Sequence, residues 1–296
     1  MRDGLLRIMI CVTGASGTVG REVVKQLQAS GAAFRAAVSS SSSAEAARAR
    51  GIDDVVICDY HEVETVRAVL QGCDTLFLLG ANLIEQTDLE IGVVEAAKAA
   101  GIQHIVKLSV MGAPDESYSL AHVHRPVEKA IEASGLGWTF LRPNSYMQNI
   151  VTFMKPTIQS DSMFYTASAD ARISHVDARD IATVAAQALT APERHRGQAY
   201  VLTGPAAVTY DELAAAVSSA LDRPIQHVSL PSDDLRAGMV AEGVPEPLAD
   251  RLLDLERYFR EGSASFISGD IERVTGRPAR PLTDYLRDHT ALLQST

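Results

Sequence analysis

The sequence has few cysteines, and none of them occurs in a pattern that suggests a metal site. Only three are found among 296 residues, and the positions Cys11, Cys58 and Cys73 show no metal-type spacing. Cys11 and Cys58 lie inside apolar runs typical of strands, so we expect buried free thiols in a reducing compartment. The eight histidines also lack metal-ligand spacing with cysteine or carboxylate residues, and we therefore expect no metal.

The sequence also lacks clusters of positive charge and long apolar runs. The formal net charge is −10, which would repel phosphate backbones and anionic lipid. No stretch reaches the ~18 consecutive apolar residues of a membrane span. The first ten residues have neither the apolar core nor the small-residue cleavage site of a signal peptide. We therefore expect a cytoplasmic protein that binds neither nucleic acid nor membrane.

The first 110 residues instead alternate short apolar runs with helical patterns. The runs are apolar throughout, which indicates strands buried on both faces of a sheet. This β-α rhythm predicts a parallel sheet covered by helices on both sides. The predicted strands are Arg7–Thr13, Phe34–Val38, Val55–Cys58, Thr75–Leu79 and His104–Leu108, and the predicted helices are Val19–Ala29, Val63–Gln71 and Leu89–Ala100.

The rest of the chain gives fewer local signals. A helix is predicted over Pro126–Ala133 and a strand over Trp138–Leu141. Thr209 and Glu212 form a capping box that opens another helix, which runs to Leu221. Leu248, Leu252, Leu255 and Phe259 recur at helical spacing, which predicts an amphipathic helix with a core-facing stripe.

A glycine-rich run joins the first strand to the first helix. Gly14 permits a tight turn, Gly17 lets the backbone approach a pyrophosphate, and Gly20 allows close packing. Backbone N–H groups and the positive end of the helix would then face the anion. This context predicts a dinucleotide site whose residues are Gly14, Ser16, Gly17, Thr18, Val19 and Gly20.

The end of the second strand favours NADPH over NADH. A serine run expected to form a loop begins at Ser39 and Ser40, and no acid follows until Glu45. Without a carboxylate to bind the ribose 2′-hydroxyl, serine hydroxyls can donate to a 2′-phosphate instead. Arg48 and Arg50 would add positive charge if the loop folds back.

Three aspartates have two interpretations each. Asp59 follows the third strand, where it either binds an adenine amine or serves as a turn residue. Asp177 and Asp180 resemble a catalytic or metal pair. Their spacing is better explained by carboxylates at the positive end of a helix that opens there.

Several further motifs follow in a fixed order. They are Val106–Ser109, His124–Lys129, Ser134–Leu136, Trp138–Pro143, Tyr146–Asn149, His175–Ala182, Leu202–Pro205 and Val274–Pro278. Taken together with the glycine run, they resemble the NmrA-like branch of the atypical short-chain dehydrogenase/reductases, and within it the NAD(P)H-binding quinone and azo-dye reductase type. The resemblance extends from Ile8 to about His289.

This resemblance implies an α/β fold with a Rossmann-type, doubly wound parallel sheet and a smaller, partly interleaved C-terminal substrate domain. The expected NAD(P)-binding domain covers residues 1–155, with 173–203 adding to it. The expected substrate domain covers residues 156–296. Members of the branch include reductases, isomerases and redox-sensing regulators, so the fold does not decide the function.

The chain departs from the pattern of short-chain dehydrogenases at the proton donor. These enzymes use a Tyr four residues before a Lys, whereas here Arg125 stands four residues before Lys129. Arginine is not a usable proton donor near neutral pH. Ser109 matches the family's catalytic serine, and His124 lies one residue before Arg125. The residues expected to be catalytic are therefore Ser109, His124, Lys129 and Tyr146.

The carboxyl ends of parallel strands meet in one crevice, where the nicotinamide is expected beside Gly80, Ala81 and Ser109. The resemblance implies that Lys129 donates to the nicotinamide ribose; an exposed helix lysine is the alternative. Pro143 completes the expected cofactor contacts.

Two further side chains are expected near the substrate. His124 is placed in the first turn of a helix, which would keep its ring neutral, or it is simply a capping or exposed residue. Tyr146 and Asn149 would line the substrate pocket; a packed aromatic is the alternative for Tyr146.

Quinones and azo compounds accept hydride readily and can take protons from water, so they do not require a dedicated acid. The leading hypothesis is accordingly an NADPH-dependent oxidoreductase of a small conjugated or carbonyl acceptor. The alternatives are a non-catalytic dinucleotide sensor, and an isomerase or epimerase of specialised metabolism. The expected partners are a small-molecule substrate and, as a candidate assembly, a second copy in a homodimer.

Overall fold

A computed structural model describes residues 8–80 and 85–294. The first half consists of β1 (Met9–Val12), α1 (Thr18–Ser30), β2 (Ala33–Val38), α2 (Ser41–Ala49), β3 (Val55–Ile57), α3 (Val63–Leu70), β4 (Thr75–Leu78), α4 (Gln86–Ala100), β5 (His104–Leu108), α5 (Ser119–Ala133) and β6 (Gly137–Pro143). The second half consists of α6 (Lys155–Asp161), β7 (Met163–Thr166), α7 (Ala178–Thr190), α8 (Pro192–His195), β8 (Gln198–Leu202), α9 (Tyr210–Leu221), β9 (Gln226–Ser229), α10 (Ser232–Ala241), α11 (Glu246–Arg260), α12 (Asp270–Thr275) and α13 (Leu282–Gln294).

The main sheet has seven strands in the order β3-β2-β1-β4-β5-β6-β8. The first six strands pair in parallel, as the uninterrupted apolar runs predict. The order reverses between β1 and β4, and the crevice at such a reversal is where α/β sheets bind ligands. The predicted α/β, doubly wound fold is confirmed.

The described residues form two compact units. The first comprises Met1–Ser109, Val123–Arg142 and Ile181–Tyr200, with the exception of the undescribed positions. Its core contains apolar side chains of β1, β4, β5 and the helices α3 and α4. The second comprises Val110–His122, Pro143–Asp180 and Val201–Thr296, and it contains the two-stranded parallel sheet of β7 and β9.

These boundaries differ from the expected domains of 1–155 with 173–203 and 156–296. Residues 143–155 group with the second unit because Met147 and Ile150 pack in its core. The backbone N–H of Met147 also donates to the carbonyl of Val176 at 2.9 Å. Of the segment 173–203, only Ile181–Tyr200 joins the first unit.

Two local predictions are wrong. The serine run after β2 is not a loop: Ser40 caps α2, and its side chain accepts from the N–H of Ser43 at 3.2 Å. The fifth helix begins at Ser119 and not at Pro126, so His124 lies in its interior. Serine is a favoured N-cap residue, which explains how a serine run can begin a helix.

Two other local predictions, a capping box and a helix that opens after Asp177, are confirmed. α9 opens with the predicted capping box, in which Thr209 and Glu212 each accept from the other's backbone N–H. α7 opens at Ala178, directly after Asp177. Among the described residues, no helix is long and apolar enough to cross a membrane.

Candidate functional site at the carboxyl ends of the strands

The glycine run turns sharply between β1 and α1. Gly14 has a φ of +61°, and a Cβ there would lie 2.8 Å from Cγ of Leu79. A Cβ on Gly20 would lie 2.0 Å from the Gly14 carbonyl oxygen, so this glycine lets the helix pack against the turn itself. The turn therefore requires glycine at both positions.

The beginning of α1 is suited to an anion. Its N-cap is Gly17, which offers no side-chain cap, and the first turn contains no acidic residue. The first N–H groups of a helix have no partner within the helix, and the helix dipole places positive charge there. The residues that surround this end fit a pyrophosphate.

At the end of β2, Ser39 is exposed and Ser40 is the N-cap of α2, whose first turn also lacks acids. Neither Arg48 nor Arg50 folds back towards the serines, although the sequence left this arrangement open. Arg48 donates to the Val55 carbonyl at 3.1 Å, and Arg50 lies at the C-cap, at the other end of α2.

Asp59 is an exposed turn residue after β3. Its carboxylate accepts from the backbone N–H of His61 at 3.0 Å and contacts the ring of the same residue at 3.0 Å. These interactions hold the pKa of Asp59 below its usual value. The turn interpretation thus matches its local contacts, and binding of adenine stays a prediction.

Gly80, after β4, lies against a buried carboxylate. Its N–H donates to Oε1 of Glu90 at 2.8 Å, and a Cβ at this position would lie 2.3 Å from the same oxygen. The close approach of the carboxylate therefore requires a glycine here. Ala81 lies outside the described residues.

The same carboxylate belongs to a buried cluster of three residues on three elements, which we call the lysine cluster: Glu90, Lys107 and His124. Glu90 and Lys107 are fully buried, and Nζ of Lys107 lies 3.0 Å from Oε2 of Glu90. Nζ also lies 3.2 Å from Nδ1 of His124. Burial, and then the neighbouring Lys107, lower the pKa of His124 well below its usual value. The lowered pKa favours the neutral ring that the sequence suggested, but its causes are burial and Lys107 and not a helix N-terminus.

Sequence reasoning missed Lys107 and Glu90. A signal was present, because Lys107 is the one lysine, arginine or acidic residue in the strand His104–Leu108, all of which is buried. A lysine in a strand buried on both faces requires an acceptor for its charge.

Ser109 follows β5 and is buried; its hydroxyl makes no hydrogen bond of ordinary geometry within the described chain. Lys129 is exposed on α5. The structure thus places Ser109, His124 and Gly80 around the carboxyl ends of β4 and β5, whereas Lys129 is at the surface. The roles expected for these residues stay predictions.

A second buried carboxylate lies nearby on α5, in what we call the arginine cluster: Glu128, Arg125, Arg142 and Glu132. Both oxygens of Glu128 accept from Arg142, at 2.8 and 2.9 Å, and Oε2 also accepts from Arg125 at 2.9 Å. Burial alone would raise the pKa of Glu128, but hydrogen bonds from Arg142 lower it below its usual value. Arg125, at the position of the family's tyrosine, is therefore part of an ion-pair network.

The remaining predicted residues belong to the second unit. Pro143 is buried, and its carbonyl accepts from the N–H of Met111 at 2.9 Å. Tyr146 is partly buried, and this burial raises the pKa of its phenol. Asn149 donates from Nδ2 to Oγ of Ser145 at 3.3 Å.

Asp177 and Asp180 are held by arginines. Asp177 pairs with Arg179 at 2.6 Å, and Asp180 pairs with Arg280. The described residues contain no group of three or more histidine, cysteine or acidic side chains that could hold a metal ion.

The chain is similar in sequence to a known protein family and to characterised reductases. The sequence model of the NmrA-like family matches residues 7–287. The chain is 35% identical to the NAD(P)H azoreductase of Xenophilus azovorans, over 96% of this chain and 98% of that protein. It is 36% identical to the (4-alkanoyl-5-oxo-2,5-dihydrofuran-3-yl)methyl phosphate reductase of Streptomyces griseus, over 95% of this chain and 98% of that protein.

A solved structure is also similar over almost the whole chain. It is that of an NADPH-dependent quinone oxidoreductase of Escherichia coli in complex with NADPH. The TM-score is 0.86 at 28% identity, and the alignment covers 95% of this chain and 100% of that one.

Proposed function

Because the chain belongs to the NmrA-like family, we propose that it is an NADPH-dependent reductase of small conjugated acceptors such as quinones and azo compounds. Bound NADPH supplies a hydride, and the chain supplies its binding site. The relatives named for azo and quinone reduction match at nearly full length, which supports the same reaction class here.

The observation that carries this proposal is the turn from β1 to α1. Gly14 and Gly20 make its geometry, and Gly17 leaves the N-terminus of α1 without a side-chain cap. This turn lies where the strand order of the sheet reverses, which is the position at which such sheets bind dinucleotides.

The preference for NADPH rests on the end of β2. Ser39 is exposed, and the N-terminus of α2 follows without any acid in its first turn. Hydroxyl and backbone N–H donors at a helix N-terminus favour a phosphate dianion over a ribose hydroxyl.

We assign roles to the site residues on the same basis. The nicotinamide is proposed to lie beside Gly80 and Ser109, with the Nε2 edge of His124 towards the acceptor. Lys129 as a ribose contact, and Pro143 and Tyr146 as cofactor and substrate contacts, are retained as predictions that substitution can test. For Lys129→Met, an unchanged dissociation constant for NADPH would remove the assignment of Lys129.

The experiment is a turnover assay followed at the absorbance band of reduced nicotinamide. Purified protein is mixed with NADPH or NADH and a panel of quinones, azo dyes and simple ketones. Faster oxidation of NADPH with a quinone or azo dye supports the proposal. Tight NADPH binding by calorimetry without turnover of any acceptor would contradict it and favour the dinucleotide sensor.

Replacement of Ser39 by Asp tests the cofactor preference. A carboxylate at this position repels the 2′-phosphate and can accept from a ribose hydroxyl. We expect the dissociation constant for NADPH to rise about tenfold, which corresponds to about 1.4 kcal/mol, while that for NADH does not rise. Isothermal titration calorimetry measures both values.

The matched control is Ala46→Asp, which adds the same charge on the exposed face of α2. If both variants weaken NADPH equally, Ser39 does not determine the preference. A homodimer and a cytoplasmic location also stay predictions; sedimentation velocity tests the former and fractionation of cells the latter.

A further inference from the structure

Lys107 has its three N–H donors directed at three acceptors. Nζ donates to Oε1 of Glu90 at 3.1 Å and to the Leu108 carbonyl, and it lies 3.2 Å from Nδ1 of His124. An ammonium group has three donors and no acceptor. Nδ1 of His124 must therefore accept from Lys107, and the single proton of the neutral ring lies on Nε2.

Glu90, at the other end of the lysine cluster, is also held by hydrogen bonds. Glu90 accepts from the backbone N–H of Gly80 at 2.8 Å and from Nε2 of Gln86 at 3.2 Å. All three side chains of the lysine cluster belong to the first unit, and His124 is the one residue of the three with any exposure, 7%. The cluster is thus a buried chain of polar groups, and His124 is its least buried member.

We propose that Lys107 is the proton reservoir of the reductase, and that it acts through His124. This inference rests on the proposed function, because it concerns the proton that accompanies the hydride. Lys107 is a positioning residue that does not touch the acceptor, whereas Nε2 of His124 donates directly to it.

Atoms and charges balance both when the proton passes to the acceptor and when the cluster regains its protons. The acceptor gains two electrons and one hydrogen as the hydride from bound NADPH, and its oxygen or nitrogen takes the proton of Nε2. In the same step, Nδ1 takes a proton from Nζ of Lys107, which is left as a neutral amine that still donates to Glu90. After the product leaves, a solvent proton enters at Nε2, and the proton on Nδ1 returns to Lys107.

The alternative role for the cluster is purely structural: the buried ion pair would only hold the backbone at Gly80. The two roles differ in what they predict for the proton of His124. Both roles leave the proton of the ring on Nε2, since Lys107 donates to Nδ1, but only the relay requires this proton to move to the acceptor during turnover.

The first test is nitrogen NMR of cofactor-free protein labelled with ¹⁵N at histidine. The signals of His124 are assigned by their loss in His124→Gln. We expect an unprotonated Nδ1 and a protonated Nε2 in the wild type, and a mixture of tautomers in the charge-neutral double variant Glu90→Gln with Lys107→Met. A proton on Nδ1 in the wild type would overturn the proposal, even if the double variant does not fold.

The second test compares acceptors that differ in their need for a proton. A quinone requires a hydride and a proton, whereas the central carbon of a cationic triphenylmethane dye takes the hydride alone. In the double variant we expect quinone reduction to fall about 100-fold relative to dye reduction. Equal losses for both acceptors would overturn the relay.

The control is the double variant Arg35→Met with Asp54→Asn, which removes another ion pair of the first unit. Its ratio of quinone to dye reduction is expected to match the wild type. Absence of turnover by the wild type would overturn the proposed function together with the relay. Wild-type turnover with an unchanged ratio in the Glu90/Lys107 variant overturns the relay alone.

Discussion

Among its described residues, the first unit contains two buried carboxylates, Glu90 and Glu128, which differ in the cations that surround them. Both are fully buried at the side chain. Glu90 is paired with a lysine, which in turn donates to a neutral histidine. Glu128 is paired with Arg125 and Arg142, in a network that continues to Glu132 at the surface.

The difference lies in which cation holds the carboxylate. A guanidinium stays protonated at any pH that a protein tolerates, so the arginine cluster can hold α5 against β6 but cannot transfer a proton. A buried lysine can lose its proton when a base is in contact with it. Burial and charge pairing alone therefore do not separate a structural cluster from a proton-transfer cluster; the chemistry of the donor does.

The largest expected effect comes from breaking the arginine cluster. Glu128→Ala leaves two guanidinium groups close together without their carboxylate, so we expect the free energy of unfolding to fall by about 3–5 kcal/mol. Urea denaturation measures the loss. Glu132→Ala removes a carboxylate that is 35% exposed and should cost about 1 kcal/mol or less. Equal losses in the two variants would contradict this assignment of the arginine cluster.

A smaller effect is expected where the backbone touches the lysine cluster. Gly80→Ala places a Cβ 2.3 Å from Oε1 of Glu90, so the carboxylate must move, at a cost of about 1–3 kcal/mol. The same substitution at Gly92, in α4, meets no atom within 4 Å and should stabilise the helix by about 0.5–1 kcal/mol. Thermal unfolding of the two variants gives the comparison, and a stabilising Gly80→Ala would show that Glu90 is not held as described.

The smallest expected effect is a difference in pH dependence. The pKa of His124 is lowered from 6.5 by burial and by Lys107, so the unfolded chain binds this proton first. Its contribution to stability is complete above pH 6.5 and is lost as the pH falls below it. The pKa of Glu128 is lowered from 4.5 despite its burial, so its contribution is retained until the pH falls below 4.5.

Between pH 6.5 and pH 4.5 the two clusters should therefore behave differently. One proton changes the slope by at most about 1.4 kcal/mol per pH unit, so His124→Gln should flatten the loss of stability by up to about 2 kcal/mol across this window. Urea denaturation at several pH values measures the slope. An unchanged slope in His124→Gln would show that the ring is not buried and neutral in the folded protein.

Strands and the glycine turn were predictable because their signals are local. The five predicted strands of the first 110 residues all occur, with His104–Leu108 at its predicted bounds. The start of α5 was not predictable in the same way. Pro126 favours the first turn of a helix, but here the helix begins seven residues earlier, at Ser119. Likewise, the serine run is typical of a loop, but in the structure Ser40 caps α2 and the helix begins at Ser41.

The parallel sheet and the glycine turn follow from local signals in the sequence, because apolar runs and glycines act on the residues next to them. The lysine cluster, in contrast, exists only in the folded chain. Glu90, Lys107 and His124 lie 17 residues apart in succession, on α4, β5 and α5. No local pattern pairs them. They meet because both helices pack on the sheet beside β5, where a buried charge is stable only if its partners arrive from other elements.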